Sequence, residues 1–405
     1  MIENLNANIG INLDHFSELE IISAWFRFAY KNTMAVALWR LPGTTEKQLV
    51  IDSRSELRAG KVDLEETNGG FLFAPFENKG MSRDLFFEKH IHYTSEYNQI
   101  QFSRLNALSP EVILHQLSME LESNHKQPYL HFSNQTGHTT SEDEYTMLVR
   151  KALESIESRS LQKVVPSVSR TVQLQNDFDC LDTFEKLCSS YPDAFISLVT
   201  APGVGTWMGA SPEPIIELDR SKTFSTAALA GTQAYQQSIS TQEAAWKQKE
   251  IEEQALVSRY IINCFKKIRL REFEEIGPKT VVAGNLLHLK TTYTVDMEAT
   301  KFPLLGSVML DLLHPTSAVC GMPKEFAMEF IRSNEKFDRA FFSGYLGPVN
   351  LDEETHLFVN LRCMQINHSN ATLYAGAGVT EDSDPYHEWV ETQLKCDTLI
   401  DVLDL

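Results

Sequence analysis

Long hydrophobic runs are missing from this 405-residue chain, cysteine is sparse, and basic residues are outnumbered. No stretch approaches the roughly 18 uninterrupted apolar residues of a membrane-spanning helix, so no span is expected. The first residues, MIENLNANIGINLDHFSEL, have neither a basic start nor a continuous apolar segment, and no signal peptide is expected. Six cysteines (Cys180, Cys188, Cys264, Cys320, Cys363 and Cys396) never fall in CxxC spacing. That argues against zinc or a disulfide framework and for reduced thiols in a cytoplasmic protein. Lysine and arginine number 36 against 55 acidic residues, a formal net charge of −19. This balance argues against nucleic acid or an anionic membrane surface as the main partner. A small anion remains compatible, because a metal ion or a few local lysines can reverse the field inside a cleft.

What is present is the material of an ordinary globular protein, with 42% hydrophobic and 22% charged residues. Short apolar or alternating runs bounded by turns predict strands near 34–39, 48–53, 69–76, 163–169, 194–200, 205–211, 356–366 and 372–379. The segment 127–140 is polar and reads as a loop. Ser141 and Glu144 form a capping box ahead of Tyr145, Leu148, Ala152 and Ile156 at helical spacing. Further helices are predicted at about 240–267, opened by Ser240 and Glu243, at 323–333 and at 385–403. Several strands follow one another directly, which favours α+β with antiparallel sheets over a doubly wound parallel sheet.

The candidate chemistry begins in the last predicted helix, where Glu388, Glu391 and Lys395 share one face after the Asp384-Pro385 start. Read alone, this is a solvated face; read with a partner, it is a pair of carboxylates for a hard cation beside an ammonium for an anion. The partner on offer is KEIEEQALV, where Glu250 and Glu253 (i, i+3) lead into the apolar stripe through Val257. Either Glu250 and Glu252 pair with Lys247 or Lys249 at the surface, or Glu253 meets Glu391 across a cleft and both hold Mg²⁺. Lys163 opens a β-prone run, either as a strand-edge gatekeeper or as a desolvated base. Glu213 in GASPEP is either a solvated turn residue or a carboxylate aimed by rigid backbone. Arg362 stands among apolar residues and needs an acid, internal or on a substrate. The turns ALAGTQ (228–233) and GAG (376–378) offer backbone N–H groups. His288 and His314 are read as structural hydrogen-bonding residues.

In order, KVV, GASPE, ALAGT, KEIEEQALV, HL, LHPTSAVCGMP, FDRAFFSG, NLR and AGAG…EWVETQLK resemble the chorismate-utilising enzymes. That family includes isochorismate synthase, salicylate synthase, and the first components of anthranilate and aminodeoxychorismate synthase. The match spans about Tyr145 to Leu405, and an N-terminal GGFLFAPFE is similar to the family's Gly-Gly strand. The resemblance implies one α+β domain with two large antiparallel sheets flanked by helices and a cleft between them. Residues 1–135 would form a variable N-terminal part and 136–405 the chorismate-binding catalytic core. By the same resemblance, Glu253 and Glu391 are Mg²⁺ ligands with Glu250 and Glu388 in the same shell. Gly231, Thr232 and Lys395 match positions around the ring carboxylate. Arg362 and the Gly376–Ala377–Gly378 backbone match those around the enolpyruvyl carboxylate.

Which branch is resembled turns on few residues. Lys163 is similar to the lysine of water-adding members, Ala230 stands where some amine-adding members have a nucleophilic lysine, and Phe342 matches isochorismate synthases rather than salicylate synthases. The implied reaction is chorismate to isochorismate, with neutral Lys163 as general base and Glu213 as general acid. The nearest alternatives are salicylate synthase, then anthranilate synthase component I or a non-catalytic chorismate-binding protein. No glutaminase subunit is expected, and a monomer or weak homodimer is. Two departures are KVVPSVSR, where the strand's continuation is in doubt, and Lys290 in HLKT.

Overall fold

A computed structural model describes residues 13–54, 56–79, 83–103, 108–123, 127–133, 137–234, 244–283 and 286–403. Among these, the strands form two nine-stranded sheets and one two-stranded piece, with every pairing antiparallel. Eight α-helices of the described residues flank them. The first sheet runs from Gln99–Phe102 through Ala35–Arg40, Phe195–Ala201, Gly205–Ser211, Cys363–Ile366 and Asn370–Gly376 to Ser167–Gln173 at its far edge. The second contains Leu286–Asp296, Thr223–Ala234, Pro214–Leu218, Thr355–Val359, Tyr345–Val349 and Gly70–Ala74 in neighbouring order. Strands from the first hundred residues enter both: Val36 lies opposite Thr200 in one sheet, and Gly70 opposite Val349 in the other. The expected α+β architecture is therefore what the chain adopts.

Where the sheets face each other the core is aromatic. Trp39, Phe71, Phe73, Phe195, Trp207, Phe341, Phe342, Phe358 and Tyr374 fall in one buried cluster. Phe73 stacks on Phe341 at 4.0 Å and Phe195 on Phe358 at 4.3 Å between centroids. Burying each such ring contributes about 1.5–3 kcal/mol, enough for this layer to fix the spacing of the sheets. Phe342 and Trp207 both stack on Tyr374, carrying the layer to the edge of a cavity.

Two helices carry acidic residues toward that cavity. Pro385–Ile400 starts where predicted, with the Asp384 side chain accepting from the Tyr386 and His387 amides. Its buried face carries Glu388, Thr392, Cys396 and Leu399, whereas Tyr386, Val390 and Leu394 are exposed. An acidic residue, Glu388, thus stands on the buried face, where an ordinary amphipathic helix places apolar ones. The second helix, Gln248–Lys267, packs on the strand Thr223–Ala234 and starts later than predicted. Ser240 and Glu243 lie outside the described residues, and Lys247 takes the N-cap position without a side-chain cap bond.

Two predicted strands are each split. The run 163–169 breaks at Pro166: Lys163–Val164 pairs with Gly321–Met322, and Ser167–Gln173 joins the first sheet. The Pro166 carbonyl accepts instead from the Tyr145 hydroxyl and the Ala377 amide, so the break is held from outside the strand. The run 356–366 breaks at Asn360–Arg362, because the chain there leaves the second sheet for the first. Asn360 donates through Nδ2 to the Phe341 carbonyl, and its own carbonyl accepts from the Ser343 amide, satisfying the backbone outside either ladder.

Candidate active site

Two crossings between the sheets build the floor of one cavity. The first runs from Gly205–Ser211 through Pro212 and Glu213 to Pro214–Leu218; the second is the Asn360–Arg362 break. They are tied together: the Val359 amide donates to the Glu213 carbonyl at 2.9 Å, and the Ala210 amide to the Arg362 carbonyl at 3.0 Å. Glu213 is thus neither a solvated turn residue nor loosely held; it is buried, 5% exposed. Arg362 is not in a strand interior as the sequence suggests. It sits at φ +45° in the crossing, a backbone region that non-glycine residues rarely occupy.

The cavity opens to solvent, and its space comes to about 730 Å³ with that open part included. Of the residues singled out in the sequence, Glu213, Gly231, Glu253, Phe342, Arg362, Gly376, Gly378 and Lys395 line it. Lys163 is fully buried just behind this wall, and its Nζ donates to Glu253 Oε1 at 2.8 Å. The side chain of Thr232 lies outside what the structure describes, and Ala377 supports the wall through its amide bond to Pro166. Glu250 stands behind Gly231, and Glu391 is ion-paired with Lys395 at 2.9 Å on its own helix. Glu388 pairs across to Lys249 Nζ at 2.5 Å. Lys249 therefore does not partner Glu250 or Glu252 at the surface; Glu252 accepts instead from Gln248 Nε2.

Two glycines are required by space. A Cβ built on Gly378 would stand 2.3 Å from Glu253 Oε1 and 2.9 Å from Lys163 Cε. Gly231 combines φ +71° with the Glu250 side chain 3.0 Å from where its Cβ would be.

Burial and neighbouring charge divide the titratable groups. Burial pushes the Glu213 carboxyl up to about 7, against the lowering influence of Lys163, Lys395 and Thr316. Burial would also raise Glu253, but the Lys163 ammonium, then Lys249 and Lys395, hold it below its ordinary range. Lys163 thus stands in an ion pair here, in place of the isolated neutral lysine the sequence led us to expect. Glu388 is raised by burial and by Glu391, and only partly offset by Lys249.

His288, read from sequence as a structural histidine, is structural in the wall of the site itself. Burial, with Arg362 and Lys395 nearby, lowers its pKa to about 3. A carbonyl only accepts, so Nδ1–H donates to Gly231 O at 2.9 Å; Nε2 is then the bare nitrogen that accepts from Arg362 Nη2, also at 2.9 Å. One imidazole so joins the Gly231 backbone to the Arg362 guanidinium, the two groups the resemblance puts around the substrate carboxylates. Burial lowers Arg362 to about 10, which leaves it charged at neutral pH. Lys395 donates to the Gly376 carbonyl at 2.8 Å. The sequence reading passed over Tyr374 and Ser343, and took Lys249 only as a surface partner for Glu250 or Glu252. His314 is a structural residue away from the cavity, donating through Nε2 to the Phe76 carbonyl at 3.2 Å.

The carboxylates fit an oxygen-seeking cation. Glu388 Oε2 and Glu250 Oε2 are buried without a hydrogen-bond partner, and such atoms need a cation or a donor. Among the described residues no preformed cluster of three ligating side chains is present. Glu253, Glu388 and Glu391 are turned toward lysines instead.

Comparison with known proteins now decides the family. The family described as chorismate binding enzyme matches residues 86–404. The chain belongs to it. Among curated chorismate-binding relatives, the isochorismate synthase EntC of Escherichia coli is 27% identical over 268 residues, covering 64% of this chain and 67% of EntC. The vibriobactin-specific isochorismate synthase of Vibrio cholerae is 26% identical, covering 64% and 66%. The family fold is shared with the solved structure of MenF, the menaquinone-specific isochorismate synthase of E. coli. There the TM-score is 0.74 at 21% identity, over 96% of this chain and 92% of MenF. Anthranilate synthase component I of Streptococcus pneumoniae matches at a TM-score of 0.63 and 17% identity, over 90% and 89%. No helix among the described residues is long and apolar enough to cross a membrane.

Proposed function

We propose that this chorismate-binding enzyme is an isochorismate synthase, interconverting chorismate and isochorismate with Mg²⁺. The observation that carries the reading is a buried acid near neutrality, Glu213, lining the same cavity as Glu253, whose partner Lys163 lies just behind the wall. Relatives named as isochorismate synthases support it, whether tied by name to menaquinone or to vibriobactin. The proposal is confined to the reaction they share.

Lys163, once its ammonium has given up a proton to solvent, takes a proton from a water molecule as the water oxygen bonds to ring C2. The double bonds shift, the C4–O bond breaks, and Glu213 protonates the departing hydroxide. Water enters and water leaves, and a proton returned from Lys163 to Glu213 through solvent resets the pair. Glu213 suits its role because a carboxyl titrating at about 7 is both substantially protonated and a competent donor at neutral pH. Arg362, oriented by His288, binds the enolpyruvyl carboxylate together with the Gly376–Gly378 backbone; Lys395 and the Gly231–Thr232 backbone bind the ring carboxylate. Bound Mg²⁺, held by Glu253 and Glu391 with Glu250 and Glu388 in the same shell, would offset the ring carboxylate's charge and compete with Lys163 for Glu253. Phe342, stacked on Tyr374, makes that part of the wall apolar and withholds a hydroxyl from the ring.

The catalytic residues all fall within 136–405, the proposed catalytic core, and we assign 1–135 to a supporting part of the fold. The six cysteines are unpaired thiols, which supports a cytoplasmic setting. We assign the working form as a monomer or weak homodimer acting without a glutaminase subunit. The test is chromatography of products after incubation with chorismate and Mg²⁺. Isochorismate alone supports the reading; salicylate with pyruvate moves the chain to the salicylate synthases, and ammonia-dependent anthranilate to the anthranilate synthases.

A further inference from the structure

A carboxylate that is 1% exposed needs a cation, and Glu388 takes one from a neighbouring helix. Lys249 reaches from the helix Gln248–Lys267 to the helix Pro385–Ile400 and places Nζ 2.5 Å from Glu388 Oε1. The second oxygen, Oε2, is buried with no hydrogen-bond partner. Lys249 does not line the substrate cavity, unlike Lys395, and does not adjoin Gly378, unlike Lys163. Its ammonium thus ties together the two helices that carry the proposed metal ligands, from a position one residue before Glu250 in the chain.

We infer that Lys249 is a resident counter-cation for the acidic shell, and that a divalent cation binds by displacing its ammonium from Glu388. The inference rests on the proposed metal site and adds a control to it: Lys249 sets how tightly the cation is held. The exchange keeps the buried carboxylate neutralised in both states, so the two helices stay joined whether or not metal is present. Removing the ammonium would leave Glu388 needing the divalent cation, and metal affinity should rise. At this partly shielded position, with Lys249 about one quarter exposed, the loss of one competing unit charge corresponds to about tenfold.

Mn²⁺ binding to the full chain, measured by electron paramagnetic resonance without substrate, tests this independently of turnover. Lys249→Met should lower the Mn²⁺ Kd by about tenfold, and Lys249→Arg should leave it within a factor of two or so of wild type. In a Glu388→Gln background, Lys249→Met should change the Kd little, because the carboxylate it serves is gone. Lys249→Gln carries the same expectation should the methionine variant not fold. A folded Lys249→Met protein with an unchanged or raised Kd overturns the inference while leaving the metal site standing. Failure of the wild-type chain to bind Mn²⁺ saturably overturns the metal reading, and this inference with it.

Discussion

Lys163 Nζ lies 2.8 Å from Glu253 Oε1, joining the residue assigned as base to a residue assigned as metal ligand. The contact is made at Gly378, where there is no room for a side chain. Lys163→Ala should lower kcat by about 10²–10⁴-fold with KM much less affected, because Lys163 stands behind the cavity lining. Steady-state kinetics with chorismate checks this. A large rise in KM at unchanged kcat would make Lys163 a binding residue.

Gly378→Ala adds a methyl group into that contact, 2.3 Å from Glu253 Oε1. Glu253 and Lys163 must both move, and shifts of this size at reacting groups cost about 10²-fold. The variant should fold, shown by an unaltered far-ultraviolet circular dichroism spectrum, and lose at least that factor in kcat/KM.

Glu213 titrates at about 7, raised by burial, and its protonated form is the acid. In the forward direction kcat should therefore fall as pH rises through about 7. Glu213→Gln should lower kcat by about 10²–10⁴-fold and remove that limb from the pH profile. The sign for stability comes from the raised folded-state pKa. The contribution of the neutral buried carboxyl is complete below its ordinary value, the usual carboxylate range, and is lost as pH rises through about 7. Wild-type Tm should fall over that window relative to Glu213→Gln, as thermal melts across pH would read.

His288 joins Gly231 O to Arg362 Nη2, and at a pKa of about 3 it stays neutral throughout the working range. His288→Ala leaves a buried carbonyl and a buried guanidinium short of a partner. The expected cost is about 1–3 kcal/mol of stability, with KM for chorismate raised. No pH limb should be lost with it, which separates a positioning role from acid–base chemistry.

How much of this was legible in the sequence depends on the range of the forces involved. The helix Glu142–Glu157 was readable because its capping serine and its apolar spacing are local. The strand Gly205–Ser211 was readable for a similar reason, having sharp turn residues at both ends. The run 356–366 was read as one strand because its apolar residues are continuous. What breaks it is Asn360, held by Phe341 and Ser343, and the transfer of the chain between sheets. Pro166 announced a break that the sequence could not place in three dimensions. The acidic and basic side-chain types of the site were visible one by one, and the family resemblance ordered them. Their pairing was not visible: Lys249 adjoins Glu250 in sequence yet bonds to Glu388, 139 residues away.

Addition of a water oxygen at C2 while the C4 hydroxyl leaves is the step on which the acid and base roles of Glu213 and Lys163 depend. It is tested most directly by running the reaction with chorismate and Mg²⁺ in H₂¹⁸O and fragmenting the product by mass spectrometry. The predicted product is isochorismate carrying one ¹⁸O in the C2 hydroxyl, formed by wild type and lost on chelation or in Lys163→Ala. Unlabelled isochorismate, in which the original hydroxyl has migrated, would contradict it.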